Sequence, residues 1–241
     1  MKQSLPPLLL FPGLSCNYEV WKHQARTFSD ITSVRVADYG SCDSIADMAR
    51  VALRLAPQRF ALAGHSMGGR VALEIVRRAP GRVMGLALLD TGYQPWKPGA
   101  AGERERADRM ALVELARTQG LHVMARRWVQ NMVHPARLSD ASLIGSIVDM
   151  FGRKNPETFA AQIRALLNRP DSTPVLAQIR CATLVLCGRE DAWSPVVRHR
   201  DIAARIPPSK LVIIENCGHM ASMERPEAVT AAMQTWLERL C

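Results

Sequence analysis

The chain's 241 residues suffice for one large domain or one domain with a sizeable insertion, and an apolar content of 48% supplies a core without disulfides or metals. Thirty-one basic against 22 acidic residues leave a net charge of +9, favouring acidic partners or anionic substrates, although an arginine-rich composition also follows from genome base content alone. No run approaches the roughly 18 to 20 apolar residues of a membrane span, and dispersed cations with only 5% aromatics lack the stacking platforms of nucleic-acid binding.

Short Leu-rich or β-branched runs predict strands at 8–11, 33–37, 59–63, 83–89, 182–187 and 210–214, alternating with helix-period segments. Ser44 reads as an N-cap before Ile45, Met48, Ala49, Ala52, Leu53 and Ala56, whose spacing makes the apolar stripe of a helix packed on a sheet. Residues 92–172 break the rhythm, with helices predicted at 102–118, 120–133, 139–152 and 156–168, the third capped by Ser139 and the fourth by Asn155 with Pro156 at its first position. The last helix starts at Pro226. The expected organisation is an α/β core, 1–91 and 173–241, carrying a helical cap, 92–172.

Gly64-His65-Ser66-Met67-Gly68-Gly69 follows a strand and precedes a helix, the context in which Gly-x-Ser-x-Gly forms a tight turn that lifts a serine oxygen above the sheet edge. A serine hydroxyl needs a base, normally a histidine oriented by a carboxylate. His219 follows the strand at 210–214 and Asp191 the strand at 182–187, so all three stand on loops at the carboxyl ends of parallel strands. Glu190 and Asp90 are the competing carboxylates. Oxyanion donors are expected from the backbone N–H of Met67, directly after the serine, and of Leu14, in the loop after the first strand.

Together these residues resemble the α/β-hydrolase superfamily. They are most similar to its small capped carboxylesterase-like members, a group with esterases of pimeloyl carrier protein methyl ester and enol-lactone hydrolases. The resemblance rests on Pro12-Gly13-Leu14, residues 18–21, Asp38, residues 64–69, residues 188–191 and Gly218-His219 with Glu224-Arg225-Pro226. It implies Ser66 as nucleophile, His219 as base, Asp191 as orienter, Leu14 and Met67 as oxyanion donors, and no cofactor. The chain starts almost at the first strand, so about six strands are expected, without the family's customary N-terminal hairpin. Ser66 stands where haloalkane dehalogenases and epoxide hydrolases carry aspartate, which disfavours those reactions.

The expected activity is cleavage of a small-molecule carboxylic ester through an acyl-enzyme. Lactone, thioester or carbon–carbon substrates are alternatives, as is a ligand-binding regulatory protein with little turnover. Met124, Trp128, Met132, Ile147, Met150, Phe151, Trp193 and Met220 are candidates to line an acyl pocket. In the cap, Arg126, Arg127, Arg137 and Arg153 offer a docking face for an acidic carrier protein or a substrate carboxylate, against the plainer reading of a solvated helix face. Cysteines 16, 42, 181, 187, 217 and 241 form no Cys-x-x-Cys pair and have no histidine at metal-ligand spacing, so a reduced, cytoplasmic protein without a metal site is expected.

Overall fold

A computed structural model describes residues 5–240; Cys241 lies outside them. Six strands form one parallel sheet in the order β2-β1-β3-β4-β5-β6, comprising β1 (Leu8–Phe11), β2 (Val34–Val36), β3 (Phe60–His65), β4 (Val83–Leu89), β5 (Ala182–Gly188) and β6 (Ser209–Ile214). The chain runs outward from β1 to β2 and then returns to β3, so the strand order reverses between β1 and β3. Ligands bind outside the carboxyl ends of strands at such a reversal.

Among the described residues eleven α-helices lie between the strands or follow the last one: α1 (Lys22–Ser29), α2 (Ile45–Leu55), α3 (Met67–Arg78), α4 (Ala100–Gln119), α5 (Leu121–Trp128), α6 (Ala141–Gly152), α7 (Pro156–Leu167), α8 (Thr173–Leu176), α9 (Val196–Arg205), α10 (Ala221–Glu224) and α11 (Pro226–Leu237). Alternation along each strand divides the core. Leu9, Phe11, Leu62, Leu86 and Leu88 face a cluster with Met48 of α2 and Val71 of α3, whereas Leu8, Leu10, Ala61, Ala63 and Leu186 face one with Phe28 of α1 and Met233 of α11. Both faces are therefore buried, and the inner strands read as continuous apolar runs.

Helices α4 to α7 all fall between β4 and β5 and pack on one another. Two expectations about them change. Asp140, not Ser139, caps α6, because its side chain accepts the Leu143 N–H at 3.0 Å. The helix expected at 120–133 ends at Trp128 and continues as a single 3-10 turn, Val129–Asn131, which brings the Met132 carbonyl against the His219 loop. Asn155 caps α7 as expected. Replacing Asp140 by Ala is expected to lower unfolding free energy by about 1 kcal/mol, while Ser139→Ala changes it little; urea titrations of the two variants distinguish the caps.

Candidate active site

Ser66 joins β3 to α3 with φ 54° and ψ −117°, a conformation that costs a residue with a Cβ on the order of 1–3 kcal/mol and persists only where its surroundings impose it. Here the end of β4 imposes it. The Ser66 N–H donates to the Leu89 carbonyl at 2.9 Å, and the Ser66 carbonyl accepts from Thr91 Oγ1 at 2.6 Å. Gly68 lets the first turn of α3 descend onto β1, since a Cβ there would collide with the Phe11 carbonyl oxygen.

The loop after β6 brings His219 Nε2 to 2.9 Å from Ser66 Oγ, and the loop after β5 brings Asp191 Oδ2 to 2.8 Å from His219 Nδ1. Asp191 Oδ1 accepts the N–H groups of Trp193 and Ser194 at 2.9 and 2.8 Å. Burial pushes this carboxyl up, but the His219 ring and those N–H donors outweigh it and hold Asp191 below the usual carboxylate range. An ionised Asp191 assigns the proton to Nδ1 and leaves Nε2 free to accept from the serine hydroxyl.

The His219 loop is clamped from three directions. Its own N–H donates to the Met132 carbonyl at 2.6 Å. The buried carboxylate of Glu224 accepts the flanking Gly218 and Met220 N–H groups and, from the helical layer, that of His134. The Trp193 ring lies 4.9 Å from the His219 ring, centroid to centroid, and stacks on Trp128 at 5.2 Å.

Leu14 and Met67 line the same cavity as Ser66 and His219, with a volume of about 870 Å³. Met67 opens α3, so its N–H has no acceptor within the helix. Of the candidate acyl-pocket residues, Trp128, Met132, Phe151, Trp193 and Met220 line the cavity. Met124, Ile147 and Met150 do not; they are fully buried in the packing of the helical layer. The competing carboxylates are engaged elsewhere. Asp90 accepts the N–H groups of Gly188 and Ala221 at 3.0 and 3.3 Å, with its carboxyl raised by burial and by the charge of Asp191. Glu190 accepts the Cys217 N–H at 2.9 Å. Of Arg126, Arg127, Arg137 and Arg153, Arg127 lines the cavity, Arg137 binds Asp140 and the Glu224 carbonyl, and Arg153 borders a second cavity beside β2.

The model of the alpha/beta hydrolase family matches residues 8–232. The chain belongs to this family. Among similar proteins is (E)-2-((N-methylformamido)methylene)succinate hydrolase of Acinetobacter baylyi, 27% identical over 96% of this chain and 90% of that protein. Another is 2-succinyl-6-hydroxy-2,4-cyclohexadiene-1-carboxylate synthase of Escherichia coli, also 27% identical, over 96% of this chain and 94% of that one. A solved thermophilic esterase from Thermogutta terrifontis, described as malate bound, superposes with a TM-score of 0.86 at 30% identity, covering 98% of this chain and 90% of that chain. This hydrolase has the family's α/β architecture, here with six parallel strands flanked by helices. No helix among its described residues is long and apolar enough to cross a membrane.

Several residues of this alpha/beta hydrolase site escape sequence reasoning. His65 is buried, and its Nε2 lies 2.8 Å from the His219 carbonyl; burial, then the neighbouring His219, lower its pKa to about 3, so the neutral ring donates that bond. His199, lowered to about 4 chiefly by burial, accepts the Thr91 N–H at Nε2. His65 stands beside the serine and His199 on a helix, and neither histidine carried a signal beyond its identity. Both must stay neutral in the fold, whereas the unfolded chain takes up protons below about pH 6.5. Their contribution is complete above that pH and is lost as the pH falls toward 4, on the order of a few kcal/mol. Urea unfolding at pH 7.5 and 4.5 should show this loss reduced in His65→Gln; an unchanged loss would remove the assignment.

Proposed function

We propose that this protein is a serine hydrolase that cleaves a carboxylic ester through an acyl-enzyme on Ser66. The observation that carries the reading is the hydrogen-bonded chain from Ser66 Oγ through His219 to Asp191, above a serine held at positive φ. In this mechanism His219 Nε2 takes the proton as Ser66 Oγ attacks the ester carbonyl, and Asp191 stabilises the imidazolium without itself becoming protonated. The N–H groups of Leu14 and Met67 receive the developing oxyanion, each contributing about 2.7 to 4 kcal/mol to the transition state. His219 then returns its proton to the leaving alcohol. The alcohol departs, and water attacks the acyl-enzyme with the same histidine as base, releasing the acid and restoring Ser66.

The segment 92–172 acts in this proposal as a cap over the core formed by 1–91 and 173–241. Trp128 and Phe151 give the acyl group an apolar wall, and the Met132 carbonyl ties the cap to the base. Substrate choice then depends on the cap while the chemistry belongs to the core. The Acinetobacter hydrolase and the malate-bound esterase support a small substrate for this chain as well.

Steady-state kinetics on p-nitrophenyl acetate test the reading. Ser66→Ala and His219→Gln are expected to lower kcat by at least a thousandfold, and Asp191→Asn by roughly ten-thousandfold. All three should keep the wild-type circular dichroism spectrum. Full activity in Asp191→Asn together with loss in Asp90→Asn would move the orienting role to Asp90, and wild-type rates in Ser66→Ala would end the proposal.

A further inference from the structure

The cavity that holds Ser66 has an unusual charge balance. Seven lysine and arginine side chains line it against two acidic ones. On one wall four guanidinium groups meet: Arg70 from α3, Arg109 from α4, Arg169 beyond α7 and Arg198 from α9. Glu105 accounts for two of them, accepting Arg109 Nε at 2.9 Å and both terminal nitrogens of Arg169 at 2.8 Å. Arg70 and Arg198 are left with neutral acceptors, the Gln94 carbonyl for the first and the Trp193 carbonyl and Ser194 hydroxyl for the second. These two lie side by side around Gly92, where a Cβ would come within 2.8 Å of Arg70 Nη2 and 3.5 Å of Arg198 Nη1.

An ordinary structural role would give each of these cations a carboxylate, yet among the described residues no carboxylate is hydrogen-bonded to Arg70 or Arg198. Here burial and the neighbouring guanidiniums of Arg169, Arg198 and Arg109 instead depress Arg70 to about 9. Arg169 has a side chain only 11% exposed, and its buried Nε has no hydrogen-bond partner. Clustered like charges in a sheltered wall are costly without an anion among them, and planar guanidiniums match the two oxygens of a carboxylate. The wall also has a fixed relation to the serine. Arg70 lies one helical turn after Ser66, about 6 Å along the axis of α3, and Gly92 directly follows Thr91, whose hydroxyl holds the Ser66 carbonyl.

We infer that the substrate is an anionic ester, carrying a carboxylate that Arg70 and Arg198 bind while its ester carbonyl lies at Ser66. This rests on the ester-hydrolase reading of the site and adds the charge of the molecule it takes. Arg169, fixed by Glu105, adds its charge to the same wall, and the apolar wall of Trp128 and Phe151 receives the rest of the substrate. Arg70 and Arg198 are specificity residues, distant from the bond that breaks.

The test compares methyl esters by methanol release. Monomethyl succinate, glutarate and adipate are each set against the neutral carbamoyl isostere of the same length. A parallel pair, read by butanoate release, places the charge on the alcohol side, with the butanoyl ester of glycolate against that of glycolamide. Wild-type kcat/KM should favour the anion by roughly ten- to a hundredfold in at least one pair, and Arg70→Gln or Arg198→Gln should each bring that ratio toward one. Equal rates within every pair overturn the inference while leaving the hydrolase reading intact. If no ester of either charge is cleaved, the hydrolase reading fails and binding decides the inference separately. Glutarate should raise the Tm of the wild-type and Ser66→Ala proteins but not of Arg70→Gln, and no rise in any of them overturns it. Removing one of several like charges is not expected to lower the Tm of Arg70→Gln without ligand, which separates the specificity role from a structural one.

Discussion

Everything at this site depends on one strained residue. Ser66 holds positive φ because β3, α3 and the end of β4 leave it no alternative, and hydrogen bonds from Leu89 of β4 and from Thr91 just beyond it hold its N–H and its carbonyl. The strain has a geometric return. It ends the strand, starts the helix and raises the side-chain oxygen in the space of one residue, so that the helix N-terminus and the serine oxygen face the same point. Gly68 is the packing counterpart of that turn, because α3 lies on β1 only where no Cβ intervenes.

The second dependence is the reach of His219 across to that serine. No single element holds the histidine. The core supplies Asp191 and Glu224, the helical layer supplies the Met132 carbonyl and the Trp128 ring that stacks on Trp193, and His65 supports its carbonyl from beneath. The helical layer is thus coupled to His219 through backbone hydrogen bonds as well as through side-chain contact, by way of the segment that follows α5.

The sheet was legible because its signal is local and redundant. Buried parallel strands produce runs such as Leu8–Phe11 and Val83–Leu89, and the positions where those runs stop are enough to put Ser66, Asp191 and His219 at one edge. The choice between Asp191 and Asp90 was harder, since both follow strands; only the direction of each side chain separates them, and direction is a tertiary property. The cap of α6 was misplaced by one residue because Ser139 and Asp140 are both good capping residues and adjacent. The arginine wall was the least legible. Arg70 is one turn from Ser66, but Arg169 and Arg198 come from distant segments, and the charge of the insertion pointed instead to Arg126, Arg127, Arg137 and Arg153. Of that group only Arg127 reaches the cavity.

The central claim is that Ser66 is a nucleophile whose reactivity comes from His219. It is tested most directly by incubating the folded protein with a fluorophosphonate, digesting it and locating the adduct by mass spectrometry. The account predicts a single adduct on the peptide that contains Ser66, absent from Ser66→Ala and strongly slowed in His219→Gln. Labelling that persists in Ser66→Ala, or a folded wild-type protein that takes up no label, would contradict it.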